Sequence, residues 1–279
     1  YTRYVGRAFG ELDPNNPRNA IIQDIELASK NAKGRVEYIA TFQLIAPSNK
    51  GQASGMFWHD VPNRGNRAAF NPAERDFGDI QLNSAWQGDN SGNTKVPAFM
   101  TSTSPVAAGT SADALMVPIA KNPDGSTITG KVFGRIVNRS GVDSQGILVQ
   151  SNPLPYQPAT LDTTKSTLVT RQAESVDGLT ITGEKVVPAS DWAWAKCSAA
   201  NPFPGTPDPT QICVKGGFDN KLLYQVVFDA KDPYVLGIGF AAWRDLGVFF
   251  KTAQQDDFGN ANPIDQRTIL GLILERLEI

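Results

Sequence analysis

Apolar residues recur at every second position from Val36 through Tyr38, Ala40 and Phe42 to Leu44, a period that predicts a half-buried strand over residues 35–46. Residues 20–27 alternate in a similar way, and the link Ser29-Lys-Asn-Ala-Lys-Gly34 reads as a hairpin turn, so these two runs are expected to pair. A short apolar-rich run at 4–9 precedes them. Residues 55–61, Gly-Met-Phe-Trp-His-Asp-Val, alternate less and suit a strand covered on both faces. They run into Pro62-Asn-Arg-Gly-Asn-Arg67, where Pro and Gly force a sharp turn. A further strand is expected at 79–86.

Beyond residue 90 the pattern shortens. Residues 115–120, 130–137, 167–171 and 179–187 are short and β-like, with turns at Asn122-Pro-Asp-Gly125 and Asp177-Gly178. This is the signature of a β-rich insertion rather than a continuing strand–helix alternation. Longer elements return after Gly217. Residues 222–228 read as a strand, and residues 237–253 as a helix with one apolar face at 238, 241, 242, 246, 249 and 250. Residues 268–274 form an apolar run with the length of a buried strand; helix is the alternative, because Glu275-Arg-Leu-Glu-Ile279 continues with helix formers. The expected organisation is therefore 1–90, 91–217 and 218–279, folded as one structural unit.

Composition narrows the function classes. Lys plus Arg (26) nearly balance Asp plus Glu (28), so no electrostatic argument for nucleic acid or an anionic membrane arises. The most apolar stretch, 234–250, is broken by Arg244 and Asp245 and does not read as a membrane span. With 25 glycines and 19 prolines the chain suits short strands joined by many turns. It opens on Tyr1 rather than methionine and reads as processed or trimmed, a removed secretion signal being one explanation.

Cys197 and Cys213 bracket a Pro- and Asp-rich stretch at a spacing that matches no zinc or redox motif. A disulfide is the natural reading, with two free thiols the alternative; the disulfide implies an oxidising compartment, secreted or periplasmic.

Motifs for chemistry are sparse. His59 is the single histidine and sits inside an apolar strand, which favours a packing role over that of a general base. No serine has the strand–Gly-x-Ser-x-Gly–helix setting of a nucleophile elbow. Asp256, Asp257, Asn260, Asn262 and Asp265 offer oxygen ligands without EF-hand spacing, and no metal is expected there. Gly237-Ile-Gly-Phe-Ala-Ala242 matches a dinucleotide fingerprint, but no strand leads into it and no acid follows a second strand. Helix packing through small residues is the better reading, and no cofactor is expected.

Several blocks, in this order, resemble the large α/β-hydrolase domain-containing esterases: Gly10-Glu-Leu-Asp-Pro-Asn-Asn-Pro-Arg-Asn-Ala20, Asp24-Ile-Glu-Leu-Ala28, Gly34-Arg-Val-Glu-Tyr38, Val61-Pro-Asn-Arg-Gly-Asn66 and Ala85-Trp-Gln-Gly-Asp89. Ala189-Ser-Asp-Trp192, Gly217-Phe-Asp219 with Leu223-Tyr224, and residues 232–250 follow. The resemblance implies an α/β, β-rich fold: an incomplete α/β-hydrolase-like sheet with a β-rich inserted subdomain. Residues 55–61 then correspond to the third strand, and the loop Asn63, Arg64, Gly65 and Asn66 to the one that contributes an oxyanion-hole N–H. Residues 85–89 correspond to the end of the fourth strand, where Trp86, Gln87 and Asp89 are candidates for a substrate wall. The helix at 237–253 points to a nucleophile strand at about 268–274. If Gly271 takes the first glycine of the elbow, Ile273 stands where the family has its serine, and no acid–histidine pair follows.

The resemblance thus implies the N-terminal part of a serine carboxylic-ester hydrolase acting on a small ester, with no identifiable catalytic set of its own. Self-association or a complementary C-terminal chain is expected to cover the broken sheet. The alternative is a non-catalytic binding or structural protein that holds a carbohydrate or other polymer on its tryptophans, Trp58, Trp86, Trp192, Trp194 and Trp243.

Overall fold

The computed structural model describes residues 1–90, 114–136, 144–146, 156–265 and 271–275. The chain is β-rich with few helices and divides into two compact units. One comprises residues 1–120 with 234–279, the other residues 121–233.

The first unit begins with β1 (Thr2–Leu12), β2 (Val36–Ala46), β3 (Met56–Asp60), α1 (Pro72–Phe77), β4 (Ile80–Ser84) and β5 (Leu115–Met116). The second unit holds β6 (Thr129–Ile136), β7 (Ser144–Gly146), β8 (Thr167–Arg171), β9 (Ala173–Glu174), β10 (Ile181–Thr182), β11 (Lys185–Val187), β12 (Trp192–Ser198), β13 (Asn201–Val214) and β14 (Leu223–Lys231). The chain then returns to the first unit with α2 (Ile238–Thr252) and β15 (Gly271–Glu275).

In the first unit the strands follow the order β1-β2-β4-β3-β15, with β5 added beside β2. β1 is antiparallel to β2 and β2 to β4, whereas β4, β3 and β15 run parallel. The expected inward face of β2 is realised: Val36, Tyr38, Ala40 and Leu44 are buried. α2 lays the predicted face against the sheet, burying Ile238, Ala241, Ala242, Leu246 and Phe250. The rings of Phe42 and Phe250 meet edge to face at 5.2 Å.

Gly239 is required by close approach. A β-carbon there would stand 1.6 Å from the carbonyl oxygen of Trp86, so the first turn of α2 can lie on the 85–89 loop only without a side chain. This supports the packing reading of the Gly-x-Gly pair.

Three expectations change. Residues 20–27 are turns and a short 3-10 helix (Ile25–Leu27), not a strand, and β2 pairs along its full length with β1 instead. The segment buries Ile22 and Ile25 in turns and a 3-10 helix, and only Ala28 just beyond it makes an isolated bridge, to Ala120, so its apolar spacing imitates strand alternation. The division at 90 and 217 also differs from the compact units, which change over after 120 and 233. β5 pairs with β2, and β14 pairs with β6 and β8, so the strand expected to open the C-terminal part belongs to the second unit. Residues 91–113, and the start of the run expected at 268–274, lie outside the described residues.

The second unit has its own core, in which Trp192, Trp194, Ile212, Val226 and Phe228 are buried together. Its sheet order is β11-β8-β14-β6, with β12-β13-β7 as a second sheet. Within this unit Lys121 Nζ pairs with Asp232 Oδ1 at 2.5 Å, tying its two chain ends. β12 and β13 are joined by the Cys197–Cys213 disulfide, with Cα atoms 5.7 Å apart and both residues buried. The disulfide indicates an oxidising compartment. Among the described residues no helix is long and apolar enough to cross a membrane.

Replacing both cysteines by alanine frees the unfolded loop between them and should lower stability by about 3 kcal/mol. Urea titration with and without reductant checks this; a double variant as stable as the oxidised protein would contradict it.

Candidate active site

The carboxyl ends of parallel strands are where the loops of an open sheet can reach a common ligand. β3 lies between β4 and β15, so its C-terminal loop has a neighbour on either side. The end of β3 is anchored from two directions: Trp243 Nε1 of α2 donates to the Asp60 carbonyl at 3.1 Å, and Ala68 N donates to Asp60 Oδ2 at 3.0 Å.

Between these anchors the chain reverses over Asn63–Asn66. Arg64 and Gly65 have φ of 53° and 80°, and Asn66 N donates to the Asn63 carbonyl at 3.0 Å. Two consecutive left-handed residues closed by this bond make a type I′-like turn. Glycine at the second position is at ease there, whereas Arg64 pays about 1 kcal/mol for its conformation.

That cost is offset by the loop that follows β4. Trp86 Nε1 donates to the Pro62 carbonyl at 2.8 Å. Gln87 Oε1 accepts from Arg64 N at 2.6 Å, and Asp89 Oδ1 pairs with Arg64 Nη1 at 2.8 Å. The residues expected to form the oxyanion loop and those expected to form the substrate wall are therefore in direct contact. Gln87 and Asp89 hold Arg64 at both ends, and Trp86 is half-buried with its ring 5.6 Å from that of Phe240.

The amides of this turn already have acceptors. Arg64 N binds Gln87, Asn66 N binds Asn63, and Gly65 N reaches the Pro62 carbonyl at 3.4 Å, the longest of the set. Backbone N–H groups at 2.7–3.1 Å from a developing charge are what stabilise an oxyanion. Here they are gathered in one turn and each is engaged within the molecule.

β15 aligns with β3 so that Glu275 stands opposite Asp60 and Ile273 opposite Trp58. Ile273 is thus inside the ladder. The sequence alignment that sets Ile273 at the serine position of an elbow therefore falls on a residue paired in this strand. Residues 276–279 lie outside the described residues.

His59 is fully buried, its ring stacked on Trp243 at a centroid distance of 4.1 Å. Its Nε2 meets Ser84 Oγ at 2.8 Å, a Ser–His contact that no local motif announced. Ser84 is also fully buried, and His59 Nδ1 has no hydrogen-bond partner. A β-carbon on Gly247 would stand 3.0 Å from that nitrogen, so the helix backbone closes over it. The pair ties β3 to β4, and the His59 ring packs against α2 through Trp243. Burial pushes the imidazole pKa down to about 3.

β4 carries polar side chains that the pattern did not flag. All five of its residues are buried, and Asn83 lies in register between Gln43 of β2 and Asp60 of β3. Gln43 accepts from Arg67 Nη1 at 3.2 Å, but both amide atoms of Asn83 lack partners. In the 256–265 loop Asp256 accepts from Phe258 N, Asn260 N and Asn260 Nδ2, while Asn262 Oδ1 accepts from Ile264 N and its Nδ2 donates to the carbonyls of Phe250 and Ala253 at the end of α2. Among the described residues no cluster of three metal-ligating side chains occurs.

A cleft of about 270 Å³ lies at the opposite end of the sheet, where Tyr1, Ser48, Gln52 and Arg75 contribute to its walls. It is remote from the carboxyl-end loops and holds none of the expected residues. None of the five tryptophans is exposed, and Trp192 and Trp194 are core residues of the second unit. No family model, curated protein or solved structure matches this chain.

Two outcomes follow for the buried groups. His59 is neutral when folded and titrates near 6.5 when unfolded, so the unfolded chain binds more protons between pH 3 and 6.5. Its contribution is complete above pH 6.5 and is lost as pH falls through that window, by about 2–3 kcal/mol at pH 4.5. His59→Gln, compared with the parent by urea titration at pH 7 and 4.5, should remove that part of the slope; an unchanged slope would contradict it. Asn83→Leu deletes an unpaired buried amide and should raise stability by about 1–3 kcal/mol. A loss of stability in thermal unfolding would show that the amide is satisfied.

Proposed function

We propose that this chain is the N-terminal part of a serine carboxylic-ester hydrolase of the α/β-hydrolase type. It supplies the oxyanion loop at Asn63–Asn66 and the adjoining wall at Trp86–Asp89, while the nucleophile and its acid–histidine partners come from residues outside this set. The substrate is a small ester.

One observation carries the reading. An α/β-hydrolase builds its oxyanion hole from one N–H in the loop after the third strand and one on the residue after the nucleophile, which caps another strand. Those two loops can meet only if their strands are adjacent, parallel and level at the carboxyl end. β3 and β15 are adjacent and parallel, and Asp60 stands opposite Glu275. The intervening order, strand, short helix and parallel strand on one side of β3, then α2 leading to β15 on the other, agrees with the strand assignment that the sequence resemblance implies. A divergence of connections about one strand is where an open sheet forms its ligand crevice.

The division of labour follows from the residues at hand. The chain's single histidine is buried in packing, so it has no accessible imidazole to serve as base. The oxidised Cys197–Cys213 pair supports a secreted or periplasmic setting. β15 pairs on only one side among the described residues, and a buried-type parallel strand with an open edge favours association with a second copy or a complementary C-terminal chain.

The 279-residue chain should therefore leave p-nitrophenyl butyrate hydrolysis at the buffer rate. Turnover abolished by a serine-directed phosphonate would contradict the absence of a nucleophile. Light scattering should find self-association, and a monodisperse monomer would count against the open edge.

A further inference from the structure

The bond between Arg64 N and Gln87 Oε1 has a chemical likeness that the wall reading leaves unused. The acceptor is the carbonyl oxygen of a primary amide, the same kind of atom as the carbonyl oxygen of an ester substrate, and it lies 2.6 Å from the amide nitrogen of the candidate oxyanion turn. We propose that Gln87 is a latch on this turn: its carboxamide oxygen occupies the place on the Arg64 N–H that the acyl oxygen of a substrate takes, and its withdrawal opens the donor.

The backbone on both sides of this bond is held in place. Arg64 is fixed in its left-handed conformation by the Asp89 pair on its guanidinium, and the turn is pinned by Trp86 Nε1 on the Pro62 carbonyl. The backbone after Gln87 is held as well. A β-carbon on Gly88 would stand 2.7 Å from Val117 and 3.2 Å from Leu236, so this stretch is packed against both. In the proposed opening the Gln87 side chain rotates off the N–H while this backbone stays in place. Such rotations are fast compared with loop rearrangement. Asp89 in this account is a positioning residue that keeps Arg64 aimed, and Gln87 is a guard rather than a wall. Strain held at one residue by its neighbours is a recurring property of functional turns.

This inference rests on the reading of Asn63–Asn66 as an oxyanion loop, and one experiment separates the two. The full chain, labelled with ¹⁵N-arginine, is followed by amide hydrogen exchange and by titration with sodium butyrate, whose carboxylate presents an acyl oxygen. Gln87→Ala should speed exchange at Arg64 N–H about tenfold, the loss of one hydrogen bond, and the same resonance should move as butyrate is added. Gln87→Glu keeps an acceptor and should restore protection and remove the response. If Gln87→Ala does not fold, Gln87→Met fills the space without an acceptor and gives the same readout. Continued protection of Arg64 N–H in the alanine variant overturns the latch and leaves the esterase reading standing. Deprotection with no butyrate shift in any variant overturns the oxyanion assignment itself, and the latch with it.

Discussion

Parallel strands cannot be joined by a tight turn, so every parallel neighbour in a sheet requires a crossover, and the crossovers decide where loops collect. In the first unit that constraint falls on β3. One connection leaves it through α1 to β4, while the other parallel neighbour, β15, is reached only after α2. The carboxyl end of β3 is therefore flanked on both sides, and the turn that follows it is the natural meeting point for anything the sheet can bind. The packing of α2 serves the same end. Gly239 lets its first turn lie against the Trp86 carbonyl, and Trp243 spans from the stacked His59 ring to the Asp60 carbonyl.

Around that meeting point the interactions are arranged as a brace. Arg64 takes up a backbone conformation that costs energy, and side chains from the neighbouring loop hold it by its amide, its guanidinium and the carbonyl two residues before it. The partly exposed Arg64–Asp89 pair would contribute little by itself. Its value is geometric, because with Gln87 it fixes the turn between β3 and the residues that follow. A braced turn beside a parallel strand end, in a chain whose single histidine is buried, is the basis for the proposed partial hydrolase.

Much of this was legible in the sequence, for physical reasons that differ by element. The alternation from Val36 to Leu44 and the helical spacing from Ile238 to Phe250 both placed their elements where expected, although β2 also buries Thr41 and Gln43 of its other face. Pro62 and Gly65 marked a turn, though not that Arg64 would share the left-handed conformation. Residues 20–27 misled because apolar spacing registers burial and not hydrogen-bond pairing. The partners of Arg64 lie more than twenty positions away, and the Ser84–His59 contact joins two strands through their register. No local pattern encodes such contacts. The buried amides of Gln81 and Asn83 were equally silent, since polar residues in a strand ordinarily signal an exposed face.

The central claim is that this chain brings the oxyanion side of an ester-hydrolase site and not its nucleophile. Fluorophosphonate labelling followed by peptide mass spectrometry tests it most directly, on the 279-residue chain and on the full natural gene product. The account predicts an unlabelled chain and, in the natural product, a label on a serine that follows β15. A label on any serine within the 279 residues would contradict it.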